Sequence, residues 1–231
     1  MTTPALPFIS LVRIGDVSPE VCARVAEGVS RRLGLACLVS GDVAPPDFAY
    51  DERRGQHCST RLLGRLRERA EGVRVLGVAD VDLFMPVLTF VFGEAILGGR
   101  AAVVSLHRLR QTVYGLPDDP GLTLLRAERE ALHELGHTFG LVHCPDYTCP
   151  MHATRSVEEI DLATGGLCRA CGARISEAIR GVSGNGRVRQ ASPEPPSRRR
   201  RSLLSALFPF LKGQPQGDAP TKPCTPKIPD E

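Results

Sequence analysis

Residues 133–143 read HELGHTFGLVH, and this stretch constrains the fold more than any other part of the chain. Within a helix, His133 and His137 project from the same face one turn apart, so their imidazoles can share one Zn²⁺ at about 2.0–2.1 Å. Gly140 is expected to end the helix, because glycine turns without Cβ strain, and the chain then returns His143 as a third ligand. The chain must therefore fold so that a helix and the loop beyond it meet at one point.

This donor set predicts a catalytic rather than a structural metal site. Three neutral nitrogen ligands leave one position of a tetrahedral zinc open, where zinc lowers the pKa of water from about 15.7 towards 7 and polarises a peptide carbonyl. Glu134 is placed to take the water proton and pass it to the leaving amine, as general base and acid. The remaining histidines lack partners at ligand spacing and are expected to be surface or packing residues: His57, His107 and His152.

The specificity of the motif comes from its length. HExxH alone is short and occurs by chance, but HExxHxxGxxH has two further fixed positions that must match. The apolar stripe of the helix that carries it, with Leu125, Leu132 and Leu135, fits independently. We therefore interpret the stretch as a zinc site.

A second cluster of candidate ligands lies directly behind the first, at Cys144, Cys149, Cys168 and Cys171. Four thiolates fill a tetrahedral zinc and leave no open position, so such a site is structural. We expect it to clamp the loop after the catalytic helix and to fix the direction of His143. Free thiols or a disulfide are the alternative, but without a recognisable signal peptide, metal ligands or reduced thiols are the better interpretation. The sequence thus predicts two zinc ions per chain, one catalytic and one structural.

Apolar runs and helix signals predict an α/β fold. Ser18, Pro19 and Gly34 mark the start and end of a helix whose valines recur every four residues. Strands are predicted at 8–14, 35–40, 73–78, 87–92 and 101–106, and helices at about 19–33, 59–70, 124–139 and 175–182. The order β-α-β-α-β-β-β-α indicates a mixed sheet backed by helices, with the active-site helix followed by a small cysteine-rich lobe.

Charge and proline content divide the chain into two parts. The formal net charge is +3, but residues 184–231 carry nine Lys/Arg and four Asp/Glu, a net of 9 − 4 = +5, so the remainder is 3 − 5 = −2. Nine of the 19 prolines lie in the same stretch, which cannot bury enough apolar surface to order itself. We predict a catalytic domain at 1–183, with a cysteine-rich zinc lobe at 144–171, and a Pro/Arg-rich disordered tail at 184–231.

The composition also limits the partners. Aromatic residues make up 5% of the chain and tryptophan is absent, so no nucleic acid is expected as a partner. No run of about 18 apolar residues occurs, so no transmembrane segment is expected, and without a signal peptide a cytoplasmic location is predicted. The expected partner is a peptide or protein substrate, and the basic tail is a candidate to bind a further, unknown partner.

Residues 133–171 resemble the signature of the archaemetzincins, a branch of the metzincin zinc metallopeptidases. That signature joins HExxHxxGxxH to Cys-x4-Cys-x-Met and then to a distant CxxC, and this chain has all three parts. The 16-residue gap between Met151 and Cys168 is slightly shorter than the family pattern, which leaves ligand identity intact.

The resemblance implies a role for each matching residue. It implies a catalytic zinc on the three histidines, Glu134 as base and acid, a second zinc on the four cysteines, and Met151 as the Met-turn, an apolar floor beneath the zinc ligands. It also implies a metzincin-like fold over about residues 6–183, a twisted sheet backed by helices, whose edge strand near 88–93 borders a cleft over the zinc.

The resulting hypothesis is a zinc metallopeptidase, and the sequence leaves open whether it is an endopeptidase or an aminopeptidase. The alternative is a zinc-stabilised peptide- or protein-binding module with little or no catalysis. A third possibility is a scaffold whose function lies in the arginine-rich tail. The intact Glu134 and the open coordination position favour the enzyme.

Overall fold

The computed structural model describes residues 6–40, 46–68 and 71–184. The tail predicted for residues 184–231 therefore lies outside the described residues, apart from Gly184 at the end of the last helix. The strands within the described ranges are β1 (Phe8–Ile14), β2 (Ala36–Val39), β3 (Tyr50–Asp51), β4 (Gln56–Cys58), β5 (Arg74–Ala79), β6 (Leu83–Phe84), β7 (Gly93–Ala95) and β8 (Ala101–Ser105). The α-helices there are α1 (Pro19–Leu33), α2 (Ser59–Glu68), α3 (Pro120–Thr138), α4 (Val157–Leu162) and α5 (Arg169–Gly184).

The main sheet is mixed, as the sequence predicts. Its strand order is β2-β1-β5-β8-β7, in which the first four strands are parallel and β7 pairs with β8 in the antiparallel direction at one edge. A smaller sheet of β3, β4 and β6 lies beside it. The inner parallel strands β1, β5 and β8 are largely buried, because crossover helices cover a parallel sheet from both sides, whereas β2 at the edge is mostly exposed.

Side chains of the central strand β5 alternate between the two faces of the sheet and belong to two separate core clusters. Leu76 and Val78 belong to the larger core cluster, which includes apolar residues of α1 and α3. Val75 and Ala79 belong to the smaller cluster, which contains the leucines of α2. Successive side chains of a strand point to opposite faces, so α1 and α3 pack on one face of the sheet and α2 on the other.

The caps of α1 lie where the sequence indicates. The hydroxyl of Ser18 accepts a hydrogen bond from the amide of Glu20 at 3.2 Å, and Pro19 occupies the first turn. Gly34 adopts a left-handed conformation with φ of 63°, and its amide donates to the carbonyl of Ser30 at 2.9 Å. A residue with a side chain would be strained at this φ, so glycine ends the helix here.

Helix α3 begins four residues earlier than predicted, at Pro120, because Asp119 caps it. The Asp119 carboxylate accepts from the amide of Leu122 at 2.9 Å. Near its middle, the buried Arg126 donates to both carboxylate oxygens of Asp161 on α4, at 2.9 and 2.6 Å. This ion pair fastens the cysteine-rich lobe to the helix that carries the histidines.

Two predicted elements need correction. Residues 87–92 are not a strand: the edge strand is β7 at Gly93–Ala95, and the residues before it form a loop with a single bridge between Val91 and Leu83. The apolar side chains of this loop line a cleft instead of a sheet face. Helix α5 starts at Arg169, not at residue 175, so it includes Cys171 and follows Cys168 directly.

Alanine substitutions at two glycines should change the free energy of unfolding in opposite directions. A Cβ at Gly77 in β5 would lie 2.7 Å from methyl carbons of both Ile14 and Leu66, whereas a Cβ at Gly64 in α2 meets no atom within 4 Å. We expect Gly77→Ala to lower the free energy of unfolding by about 1–3 kcal/mol through overpacking. Gly64→Ala should raise it by about 0.5–1 kcal/mol through helix propensity. Urea denaturation measures both, and equal effects would contradict the packing described here.

Candidate active site

The first donor cluster is built on the last turns of α3. His133 and His137 are 6% and 3% exposed, and their Nε2 atoms lie 3.0 Å apart. The Nδ1 of His133 is 2.7 Å from the carbonyl oxygen of Pro150, and the Nδ1 of His137 is 2.8 Å from that of Leu141. A carbonyl oxygen can only accept a hydrogen bond, so both Nδ1 atoms carry the proton and donate it.

The tautomers decide what the two Nε2 atoms can do. With the proton on Nδ1, each Nε2 presents a lone pair, and two lone pairs at 3.0 Å repel unless a cation lies between them. Two nitrogens bound to one tetrahedral zinc at about 2.05 Å would stand about 3.3 Å apart. The donor set and its spacing therefore fit a zinc ion.

The third histidine reaches the same point from beyond the helix. Gly140 has φ of 89°, in the left-handed region, and its amide donates to the carbonyl of His137 at 2.9 Å. The ring centroid of His143 lies 5.4 Å from that of His133 and 5.0 Å from that of His137. One ligand atom from each ring lies within 4.8 Å of the others, so the structure brings the three predicted histidines together.

Burial keeps the three imidazoles neutral. It lowers the pKa of His133 well below its usual value, lowers the pKa of His137, and lowers that of His143 to about 4; repulsion between the rings adds to the shifts of His133 and His143. Only a neutral imidazole can bind a metal. The site is therefore in its ligating form at neutral pH.

Glu134 lies next to the first histidine and lines the same cleft. The residue is 6% exposed, and burial, followed by repulsion from Glu130 and Glu94, raises the pKa of its carboxyl well above its usual value. Space for its side chain comes from Gly93 on β7, where a Cβ would lie 2.7 Å from the Glu134 Cγ and from the Val103 carbonyl oxygen. The edge strand and the helix thus approach closely at Glu134 because residue 93 has no side chain.

Two cleft residues were missed by the sequence analysis. Glu130 lies one turn before Glu134 on the same face of α3, so the four-residue spacing in the sequence is enough to identify it as a neighbour of Glu134. Glu94 lies on β7, and its carboxylate accepts hydrogen bonds from the hydroxyls of Ser59 and Thr60 at the start of α2, at 2.5 and 3.1 Å. No local pattern marks Glu94, because its neighbours are distant in sequence.

Met151 is fully buried and packs against the helix from below. A Cβ at Gly136 would overlap the sulfur of Met151, so the glycine inside HELGH lets this side chain approach the helix backbone. The carbonyl of Met151 accepts from the amide of Cys144 at 2.8 Å, and the carbonyl of Cys144 lies 2.9 Å from the Nδ1 of His152. These contacts tie the segment that carries His143 to the segment that carries Met151.

The four cysteines form the second cluster. All four Sγ atoms lie within 4.8 Å of one another, and those of Cys144 and Cys168 are 3.8 Å apart. Sulfurs on a tetrahedral zinc at about 2.3 Å stand about 3.8 Å apart, whereas a disulfide needs about 2.05 Å. All four are free cysteines in the structure, and their spacing fits a shared zinc better than a disulfide. Within the described residues, His57, His107 and His152 belong to neither cluster.

The histidines form the floor of a cleft with a volume of about 140 Å³. Glu130 and Glu134 from α3 line it, together with residues 153–155. The rest of the lining comes from the loop at residues 85–92 and from strand β7. The antiparallel edge strand therefore borders the cleft, as the family resemblance implied, but at Gly93–Ala95.

Comparison with known proteins gives consistent matches. The sequence model of peptidase family M54 matches residues 32–177. The archaemetzincin of Methanocaldococcus jannaschii is 38% identical over 163 residues, which cover 71% of this chain and 89% of that protein. The archaemetzincin of Methanopyrus kandleri is 44% identical over 153 residues, 66% of this chain and 84% of that protein.

Solved structures agree. The crystal structure of the Methanopyrus kandleri archaemetzincin superposes with a TM-score of 0.68 at 38% identity, covering 78% of this chain and 99% of that one. A zinc-dependent peptidase from Methanocorpusculum labreanum superposes with a TM-score of 0.67 at 27% identity, covering 72% of this chain and 99% of that one.

The fold and these matches define a zinc metallopeptidase. The chain belongs to peptidase family M54, the archaemetzincins, which confirms the resemblance and the fold expected from the sequence. In the described part of the chain, no helix is both long and apolar enough to cross a membrane.

Glu130 gives a pH-dependent test of the buried cleft wall. Burial raises the pKa of its carboxyl from 4.5 to about 7, although a hydrogen bond with Thr154 offsets part of the shift. Since the folded-state pKa is the higher one, the folded protein holds this proton more tightly, and stability is lost as pH rises from about 4.5 through about 7. We expect Glu130→Gln to match the wild type at pH 4 and to be more stable at pH 8, by about 1–3 kcal/mol.

Urea unfolding at the two pH values measures this difference. The matched control is Glu27→Gln on α1, where the side chain is 66% exposed. A surface substitution of this kind should change the free energy of unfolding by less than about 0.5 kcal/mol at either pH. If the free energy of unfolding of Glu130→Gln differed from that of the wild type by the same amount at both pH values, the raised pKa of Glu130 would be contradicted.

Proposed function

We propose that the chain hydrolyses peptide bonds at a zinc held by His133, His137 and His143, with Glu134 as general base and acid. The observation that carries this proposal is the convergence of the histidine nitrogens with the proton fixed on Nδ1 of the first two rings. Such a set of neutral donors leaves one position open to substrate and water. Family membership supports the same reaction class.

The protein's own groups have distinct tasks in this reaction. When bound, zinc supplies acidity to water and polarises the scissile carbonyl. Glu134 lines the cleft beside His133, where it accepts the proton of the attacking water and returns it to the leaving amine. The Pro150 and Leu141 carbonyls hold the first two rings in the ligating tautomer.

We further propose a second, structural zinc on Cys144, Cys149, Cys168 and Cys171. Its task is to fix the loop after α3, because Cys144 is covalently adjacent to His143 and its amide binds the Met151 carbonyl. Met151 supplies the apolar floor against Gly136. In this assignment residues 1–183 form the catalytic domain, the lobe at 144–171 supports the site, and residues 184–231 are a separate tail.

Removal of the Glu134 carboxylate tests the catalytic assignment. We expect Glu134→Ala to lower kcat for peptide cleavage by about 10²–10⁴-fold while the zinc content stays unchanged. Glu177→Ala, at an exposed position on α5, is the control and should retain wild-type kcat. A zinc-loaded wild type that binds peptides from a library but cleaves none would instead favour the peptide-binding module.

Zinc stoichiometry tests the two ligand sets separately. We expect two zinc ions per chain for the wild type and for Glu134→Ala, because both clusters remain intact. Replacement of both His133 and His137 by alanine should leave one, and replacement of all four cysteines by serine should leave one or prevent folding. Elemental analysis by mass spectrometry measures the content, with His107→Ala as a control that keeps both. A wild type with a single zinc would contradict the proposal of two sites.

A further inference from the structure

The loop at residues 85–92 forms a wall of the same cleft that the three histidines line. Its side chains in the cleft are all apolar: Met85, Val87, Leu88, Phe90, Val91 and Phe92. Most of them are only half-buried in the protein itself, so part of their apolar surface remains accessible to a ligand. The acidic side chains of the cleft come from α3 and β7, not from this loop.

Polar contacts within the protein hold this loop in place. Arg54 donates to the carbonyl of Leu88 at 2.9 Å, and its guanidinium stacks on the ring of Phe84 with 4.2 Å to the centroid. Gln56 donates to the carbonyl of Thr89 at 3.1 Å. The amide of Val91 donates to the carbonyl of Leu83 at 2.9 Å. Backbone groups of Leu88, Thr89 and Val91 are therefore already paired within the protein.

The aromatic end of the loop is fixed in the same way. The guanidinium of Arg108 lies 4.3 Å from the ring centroid of Phe90 and donates to both carboxylate oxygens of Asp82, at 2.5 and 2.7 Å. Phe90 and Phe92 meet edge to face with centroids 5.4 Å apart. Cation–π contacts and edge-to-face pairs favour one arrangement of the rings. The apolar surface is thus preformed and does not need to assemble when a ligand binds.

Such a wall discriminates between side chains by desolvation. A polar side chain placed against it loses water and gains no hydrogen bond from the loop, whereas an apolar side chain gains contact area at no such cost. We propose that residues 85–92 are the specificity wall of the proposed peptidase and select peptides with a large apolar side chain next to the scissile bond. This inference rests on the proposed function, because the scissile bond is placed over the histidines.

The test uses pairs of peptides that differ only by leucine or asparagine, which are similar in size, at the residue before or the residue after the cleaved bond. We expect kcat/KM of the zinc-loaded full-length protein to be at least about 10-fold higher for leucine at one of these positions. In Leu88→Asp this preference should fall to within about 3-fold. Val87→Asp, at a cleft-lining position that is 48% exposed and therefore tolerant of charge, should weaken the preference in the same direction.

Leu116→Asp is the matched control, because Leu116 is 53% exposed and lies outside the cleft lining. It should keep the wild-type preference. Cleavage of leucine and asparagine peptides at equal rates at both positions would overturn the inference and leave the proposed function intact. A preference that survives both Leu88→Asp and Val87→Asp would overturn it too.

A binding measurement separates this inference from the reaction. If no peptide is cleaved, the proposed function fails, and the dissociation constants of the same peptides for the zinc-loaded wild type still test the wall. Fluorescence anisotropy with labelled peptides should then give at least about 10-fold tighter binding for leucine, lost in Leu88→Asp. Equal dissociation constants for the leucine and asparagine peptides would reject the wall as a specificity element.

Discussion

The site depends on two imidazoles whose orientation is fixed by backbone carbonyls. His133 and His137 are buried, and each Nδ1 donates to a carbonyl of the chain that follows α3. This leaves both Nε2 lone pairs at one point, an arrangement that is unfavourable without a cation and favourable with one. The helix that holds them is itself buried against the sheet and α1, so the rings cannot separate without loss of core packing.

The rest of the structure completes this arrangement from a distance. Gly140 turns the chain so that His143 returns, and the cysteine cluster begins at the next residue. Met151 reaches the helix only because residue 136 has no side chain, and Glu134 fits beside the edge strand only because residue 93 has none. The conformation of the loop after α3 and the positions of the candidate metal ligands therefore depend on each other. A change in one alters the other.

Much of the fold and of the candidate site can be predicted from the sequence, and the wrong or missing predictions have physical causes. The motif at 133–143 and the caps of α1 act locally, so the convergence of the histidines and the limits of α1 could be predicted. The run at 87–92 was predicted as a strand because apolar content alone does not distinguish a sheet face from a cleft wall. Glu94 and Gly93 acquire their roles from Ser59 and Glu134, which lie 35 and 41 positions away along the chain, and no local pattern reports such contacts.

In the proposed site, three neutral imidazoles share one metal ion at the end of α3. A crystal structure of the zinc-loaded protein, with anomalous differences recorded on both sides of the zinc absorption edge, tests it most directly. We expect one peak about 2.0–2.1 Å from a nitrogen of His133, His137 and His143, and a second about 2.3 Å from the four cysteine sulfurs. An anomalous map with no peak among the three imidazoles, or rings turned away from one another, would contradict it.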